Sequence, residues 1–204
     1  MMFDLLLNRL STTPELWNRL RWLVEAGFTG EHLAIARELR PWHGDHRRFL
    51  DLGCGTGEFA ADFPAHRYIG VDPSLTYLRF AVRCRPGSYV AAGGEALPFA
   101  DQTFDAGLIL GVLHHLPDAT ARLVMHEVYR VMRPGATILV MEDTPPPPGQ
   151  NPLGHLMHAL DRGGYIRHDA DYQAMFGDGF DVVRRYPLRS GICDYAVYVL
   201  RRRP

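Results

Sequence analysis

The chain has 204 residues, 47% of them hydrophobic, with 22 basic against 23 acidic side chains and a formal charge of −1. That length suits one well-buried domain, and the near-zero charge gives no global basis for nucleic-acid binding. Every basic residue is an arginine, which excludes chemistry on a lysine amine.

Residues 1–42 read as an N-terminal helical cap. Phe3 to Leu7 is a short amphipathic segment, expected to pack on the sheet edge; a lid, a dimer contact and a lipid-facing foot are its other readings. Thr13-Pro14-Glu15 is a helix start, followed by Leu16, Leu20, Leu23 and Val24 at helical spacing. Gly27 ends that helix, Thr29 to Leu39 forms the next, and Pro41 stops it. Trp17 and Trp22 lie on different faces of the first helix, so one of them is expected in the core.

From residue 47 strands and helices alternate. The patterns predict strands near 47–52, 67–71, 87–91, 104–110 and 135–142, and helices near 57–63, 74–84 and 118–132. Such alternation implies a parallel sheet covered on both faces. Arg133-Pro134-Gly135 reads as a helix stop and a turn into the fifth strand. Four prolines at 145–148 can be neither helix nor central strand and predict a stiff extended loop. Residues 153–176 read as helical in two pieces, and Phe180 to Val183 with Tyr195 to Leu200 as a closing hairpin. The chain thus divides into a core at 47–143, a substrate-side insertion at 144–178 and a terminal hairpin at 179–201.

The most informative stretch is Phe49 to Phe59, FLDLGCGTGEF. An apolar run ends in Gly53, Gly55 and Gly57, which let the backbone turn sharply and approach a ligand. Glu58 to Ala61 read as the start of a helix. Strand, glycine turn and helix make a nucleotide-type cofactor site. A dinucleotide site would place its third glycine at position 58, where this chain has Glu58. A carboxylate about 5 Å from a pyrophosphate repels it by roughly 3 kcal/mol at an effective dielectric near 20. Asp51 adds a second negative charge. The site therefore suits a phosphate-free, positively charged adenosine compound, a description that S-adenosylmethionine fits. Asp72, at the end of a second buried strand and before Pro-Ser, reads either as a helix cap or as an acceptor for both ribose hydroxyls, with Ser74 then capping the next helix.

Four blocks then carry a resemblance: the glycine block at 49–59, VDPS at 71–74, GEALPFADQTFDAGLILGVLHHLPD at 94–118, and EVYRVMRPGATILVMED at 127–143. Together the chain resembles the class I S-adenosylmethionine-dependent methyltransferases, most of all the small-molecule group that includes quinone-biosynthesis methyltransferases. The resemblance implies an α/β, doubly wound, Rossmann-like sheet of seven strands in the order 3-2-1-4-5-7-6, with strand 7 antiparallel and helices N-terminal to it. It implies that Asp51, Gly53, Gly55 and Gly57 shape the methionine end. Asp72 would hold the ribose, Gly94, Glu95 and Ala96 would border the adenine, and Cys54, Pro73, Ser74, Leu110 and His115 would complete the site. One departure stands out. The family's usual adenine-binding acid falls at Gly93, so either Glu95 takes that role or the backbone at 94–96 holds the adenine alone.

Methyl transfer is an in-line displacement on an activated reagent, so the residues around the methyl group matter most. They lie beyond the carboxyl ends of the strands. His114 and His115 follow strand four and are general-base candidates, or else they pack beneath the cofactor. Glu142 and Asp143 end strand five, to orient a substrate, accept a proton or simply face water. The acceptor pocket is assigned to the N-terminal helices, to 153–167 with His155, His158, Asp161, Arg162 and Tyr165, and to the turn at Arg189 to Tyr195. Arg189, Asp194 and Tyr195 read either as acceptor contacts or as the closure of the hairpin. His155 and His158 have a possible metal-pair spacing, but no third ligand is identifiable, so no metal is expected. No Asn/Asp-Pro-Pro-aromatic motif follows strand four, which again argues against nucleic-acid substrates.

The expected protein is a methyltransferase acting on a small, fairly apolar acceptor, monomeric or weakly dimeric. Three cysteines without disulfide or metal spacing, no signal-peptide pattern and no apolar run of about 18 residues point to the cytoplasm without membrane insertion. The rival readings are a non-catalytic S-adenosylmethionine-binding protein and, against the glycine spacing, a nicotinamide-dependent oxidoreductase.

Overall fold

A computed structural model describes residues 13–44, 46–147, 149–155 and 164–204. Seven strands form one sheet: β1 Phe49–Leu52, β2 Tyr68–Asp72, β3 Ser88–Ala91, β4 Phe104–Leu110, β5 Met132–Asp143, β6 Phe180–Ser190 and β7 Cys193–Arg202. Their order is β3-β2-β1-β4-β5-β7-β6. The first five run parallel, and β7 lies antiparallel between β5 and β6. This is the order that the resemblance implies.

The helices α1 Pro14–Val24, α2 Thr29–Leu39, α3 Leu75–Cys84, α4 Asp118–Val131 and α5 Asp169–Phe176 cover the sheet. Two apolar layers form on its faces. Leu50, Leu52 and Ile109 point into the layer built with Val124, Val128 and Tyr172. Phe49, Ala106 and Leu108 point into the other, built with Phe28, Ile35 and Phe63. The period-2 alternation along β1 and β4 sends neighbouring side chains to opposite faces. Asp51 therefore shares a face with Phe49, toward the N-terminal helices.

The predicted helix at 57–63 does not form. Gly57, Ala60 and Asp62 are linked by turns of the type Ala60 N–H to Gly57 O and Asp62 N–H to Phe59 O, and only Ala60–Asp62 is a short 3-10 helix. Gly57 has φ +70°, and Phe63 is extended before Pro64, as a residue preceding proline must be. The chain between them is too short for α-helix. The start of β5 also differs. Arg133-Pro134-Gly135 lies within the strand as an irregularity between the pairs Phe104–Met132 and Ala106–Thr137, so helix α4 runs into β5 without a separate turn. The terminal hairpin extends well beyond the predicted cores and turns at Gly191, whose φ is +56°. A Cβ there would sit 2.1 Å from the Val24 carbonyl, so only glycine lets this turn dock on α1.

Thr13 stands at the cap position of α1 without a side-chain cap bond, whereas Ser74 caps α3 by accepting from Tyr77 N–H. The Phe3 to Leu7 segment, His158, Asp161, Arg162 and the Trp17 side chain lie outside the described residues. Among the described residues no helix is long and apolar enough to cross a membrane.

Candidate active site

The glycine block forms a tight turn at the carboxyl end of β1. Gly53, Gly55 and Gly57 all have positive φ, between 52° and 75°. At two of them the protein itself excludes a side chain. A Cβ on Gly53 would lie 2.3 Å from Val112 Cγ2, and one on Gly57 would lie 2.6 Å from the Tyr89 hydroxyl. At Gly55 nothing stands within 4 Å. The loop is thus packed on its inner side and open at Gly55, the form of a cradle for a ligand that approaches the backbone.

Four of the loop's N–H groups are used internally. Gly53 and Cys54 both donate to Val71 O at 2.8 and 3.1 Å, Gly57 donates to Cys54 O, and Gly55 donates to Asp72 Oδ2 at 3.0 Å. A phosphate cradle needs such donors aimed outward. Glu58, in contrast, is a weaker argument than its position in the sequence suggests, because the Arg85 guanidinium donates to its carboxylate. The case against a pyrophosphate therefore rests on the spent N–H groups and the glycine spacing.

Asp72 is nearly buried and accepts one backbone N–H on each oxygen, from Gly55 and from Ser74 at 2.7 Å. Each oxygen keeps a second lone pair for a ribose hydroxyl. Burial raises its carboxyl above the usual range, and the two N–H groups oppose that. Asp51 faces inward and accepts from the Tyr68 hydroxyl at 2.5 Å. Burial pushes its carboxyl up to about 7. Cys54 packs beside Gly70, where a Cβ would meet its sulfur at 2.8 Å. Burial holds its thiol well above the ordinary range, so it is not a nucleophile.

At the edge expected to border the adenine, Gly94 lies against Leu52 and Val124. The Glu95 carboxylate oxygens lie 2.5 and 2.6 Å from where a Gly93 Cβ would be. They fill the space that an acidic side chain at 93 would use. Pro73 and Ala96 are exposed, and Leu110 is buried in the other layer, with Phe28 and Leu108.

The chemistry-bearing side chains meet at the ends of β4 and β5. A short 3-10 turn, Leu113–His115, carries both histidines. Glu142, with no solvent exposure, accepts from the N–H groups of Val112, Leu113 and His114 at 3.1, 2.8 and 3.2 Å and lies 2.8 Å from His114 Nδ1. With four such partners, Glu142 is committed to the turn. His114 Nε2 lies 3.4 Å from Asp143 Oδ2. The exposed His115 lies against the buried His114, with ring centroids 4.1 Å apart and the rings tilted by 46°.

The other acceptor-side candidates separate. Arg189 donates to Asp194 at 2.8 Å, and Asn151 donates to the same carboxylate, which closes the hairpin. Tyr195 is buried and donates to Glu25 at 2.6 Å. Trp22 is exposed on α1 and Tyr165 precedes α5. Among the described residues no three His, Cys, Asp or Glu side chains are grouped to hold a metal. A groove of about 700 Å³ lined by His46, Arg48, His66, Arg67 and Arg133 lies at the opposite, amino ends of the strands.

Two residues were missed by sequence reasoning. Arg21 pairs with Glu25 at 2.7 Å beneath Tyr195, and Arg167 donates to the carbonyl oxygens of the histidine turn. Arg167 is 49 residues from its ionic partner Asp118, so no local pattern could reveal it.

The glycine turn, the strand-end carboxylate and the histidine turn coincide with a family model. Residues 50–140 match the model described as a methyltransferase domain. A ubiquinone/menaquinone biosynthesis C-methyltransferase of Syntrophotalea carbinolica is 32% identical over 91% of this chain and 79% of its own length. An uncharacterized methyltransferase of Mycobacterium leprae is 37% identical over 46% of the chain, which spans only 36% of that relative. Among solved structures, the magnesium protoporphyrin IX methyltransferase of Synechocystis, with bound S-adenosylhomocysteine, superposes with a TM-score of 0.70 at 16% identity, over 90% of this chain and 87% of that one. The [4+2]-cyclase SpnF reaches 0.68 at 18% identity, over 85% and 80%, so at that distance likeness carries the fold alone. Sequence match and sheet order together place this chain among the class I S-adenosylmethionine-dependent methyltransferases.

Proposed function

We propose that the chain methylates a small, largely apolar organic acceptor held beyond the carboxyl ends of β1, β4 and β5, with His115 as the proton acceptor. When bound, S-adenosylmethionine supplies a methyl group already activated on a sulfonium. The protein's task is then to orient, a contribution on the order of 7–11 kcal/mol for well-aligned partners. Gly53 to Gly57 seat the methionine end against open backbone at Gly55. Asp72 takes the ribose hydroxyls, and Glu95 takes the adenine edge where position 93 lacks a side chain. Residues 47–143 serve the cofactor and 144–178 the acceptor.

One observation carries the assignment of roles. His114 has both ring nitrogens near carboxylates, Glu142 at 2.8 Å and Asp143 at 3.4 Å, whereas His115 stands exposed above it. His114 is then the support and His115 the group that meets the acceptor, with Asp143 beside it. A hydroxyl or an electron-rich carbon acceptor loses a proton when it gains a methyl group, and an imidazole titrates in the range to take it. The apolar character of the acceptor is supported by the relative named for quinone biosynthesis and by the exposed Leu16, Trp22 and Leu153 on the acceptor-side segments.

The test has two stages. Titration calorimetry with S-adenosylhomocysteine should show binding; a folded chain that gives no heat would end the reading. A panel of hydroxylated aromatics, quinols and aliphatic amines should then be assayed for S-adenosylhomocysteine release. The aromatics should turn over, and His115→Asn should lower kcat at least tenfold while binding is kept. Turnover of amines alone would overturn the acceptor class.

A further inference from the structure

Arg167 is buried, with 7% exposure, yet it is charged. Its guanidinium has five N–H groups, and five contacts match them. Nη1 donates to Leu113 O at 2.7 Å and to Tyr165 O at 2.8 Å. Nη2 donates to Leu116 O at 2.6 Å and to Asp118 Oδ1 at 2.7 Å, and Nε donates to the same oxygen at 3.0 Å. Leu113 and Leu116 bracket the two histidines. Between them the His114 carbonyl accepts from Tyr165 N–H at 3.0 Å. On the other side of the same turn, Glu142 collects the N–H groups of Val112, Leu113 and His114.

The turn that carries His114 and His115 is therefore held by an anion at its N–H groups and by a cation at its carbonyl groups. That polarity matches the dipole of a helical turn. A fixed guanidinium fork satisfies three carbonyls and a carboxylate at once, which an ammonium on a flexible stem cannot do. Burying this charge against one largely exposed carboxylate is an expensive way to fold a loop, and what it fixes is the orientation of two imidazoles. We propose that Arg167 is a positioning residue for methyl transfer, acting through the backbone of the turn at 113–116 to set His115. The proposal rests on the function assigned above, and its test separates the two.

The experiment compares the wild type, Arg167→Lys and Asp118→Ala at a temperature well below unfolding. Imidazole NMR signals of His114 and His115 are followed from pH 5 to 9, and S-adenosylhomocysteine affinity is measured by calorimetry. Arg167→Lys should move the His115 signals and its titration midpoint, and should weaken S-adenosylhomocysteine by about fivefold, the worth of one hydrogen bond of the seat. A merely structural arginine would lower the melting temperature and leave the imidazole signals in place, and that result would overturn the proposal. Should Arg167→Lys fail to fold, Asp118→Ala decides: it removes two of the five contacts and should shift the His115 signals in the same direction, whereas unchanged signals would sink the idea. Absence of binding in the wild type would strike the function assigned above, while the imidazole signals would still report on Arg167.

Discussion

The Tyr68 hydroxyl donates to the Asp51 carboxylate at 2.5 Å, joining the start of β2 to the third residue of β1 behind the glycine loop. Burial dominates this contact and pushes the Asp51 carboxyl up to about 7. Glu31 behaves alike. It is fully buried, burial pushes it up to about 7, and its Oε2 faces the Ser190 hydroxyl. That hydroxyl also lies 2.9 Å from Glu25 O. One hydroxyl proton cannot serve both acceptors well, and burial favours the protonated form of Glu31. Folded chains thus hold protons that unfolded chains release near pH 4.

Stability of the unliganded protein should therefore fall as pH rises from about 4.5 to about 7, because in that window the native state binds more protons than the unfolded state. His32, raised by its bond to Asp62, acts in the same direction, since its stabilisation is lost as pH climbs through its folded value. Urea unfolding at pH 5, 6, 7 and 8 measures this. Glu31→Gln should flatten the profile and raise stability at pH 8; a profile that climbs between pH 5 and 8 would contradict the assignment.

Asp51 should also couple to the cofactor. A positively charged ligand on the adjoining loop favours the ionised carboxylate, so binding at pH 6.5 should release a proton. Calorimetry of S-adenosylmethionine in buffers of different ionisation enthalpy reads that proton directly. Asp51→Asn should bind more weakly and release none. Equal proton release from the Asn variant would assign the effect to another group.

The glycines give a prediction that divides folding from binding. Gly53→Ala drives a methyl into Val112, with 2.3 Å between the atoms, and also strains φ at +75°. It should destabilise the fold by several kcal/mol. Gly55→Ala meets only the penalty of positive φ, about 1 kcal/mol, because nothing stands within 4 Å. Its fold should survive while S-adenosylhomocysteine affinity falls at least tenfold. If Gly55→Ala bound like the wild type, the ligand would not approach the loop from that side.

How far the sequence could be read follows from where each feature originates. The parallel core was legible because Phe49 to Leu52, Phe104 to Leu110 and the helices between them carry local patterns of burial and capping. The seven-strand order came from family resemblance, not from those patterns. The helix expected after Gly57 does not form because Pro64 cuts the segment short, a local signal that outweighs the helical pattern. Asp51, Glu31 and Arg167 were opaque for a different reason. Asp51 and Glu31 owe their raised carboxyls to burial, and Arg167 owes its place to a partner 49 residues away; burial and such contacts exist only once the chain is folded. Glu142 was visible as an acid at the end of a strand, but nothing local shows that it points at three N–H groups rather than at a substrate.

Asp72 offers the sharpest test of the proposed cofactor seat, because it is a loop anchor and the proposed ribose contact. Its oxygens hold Gly55 N–H at 3.0 Å and Ser74 N–H at 2.7 Å. Asp72→Ala removes both anchors and the acceptors proposed for the ribose. A single hydrogen bond to a charged group is worth about 1.5–3 kcal/mol, so S-adenosylhomocysteine affinity should fall at least about tenfold. Asp72→Asn keeps the shape and one acceptor oxygen, but its NH₂ must face one of the two N–H groups. It should therefore bind better than the Ala variant and still worse than the wild type. Melting temperatures recorded beside the calorimetry separate loss of the loop from loss of the ribose contact. Should Asp72→Ala bind as tightly as the wild type, the ribose would lie elsewhere, and the seat built on the ends of β1 and β2 would have to be redrawn.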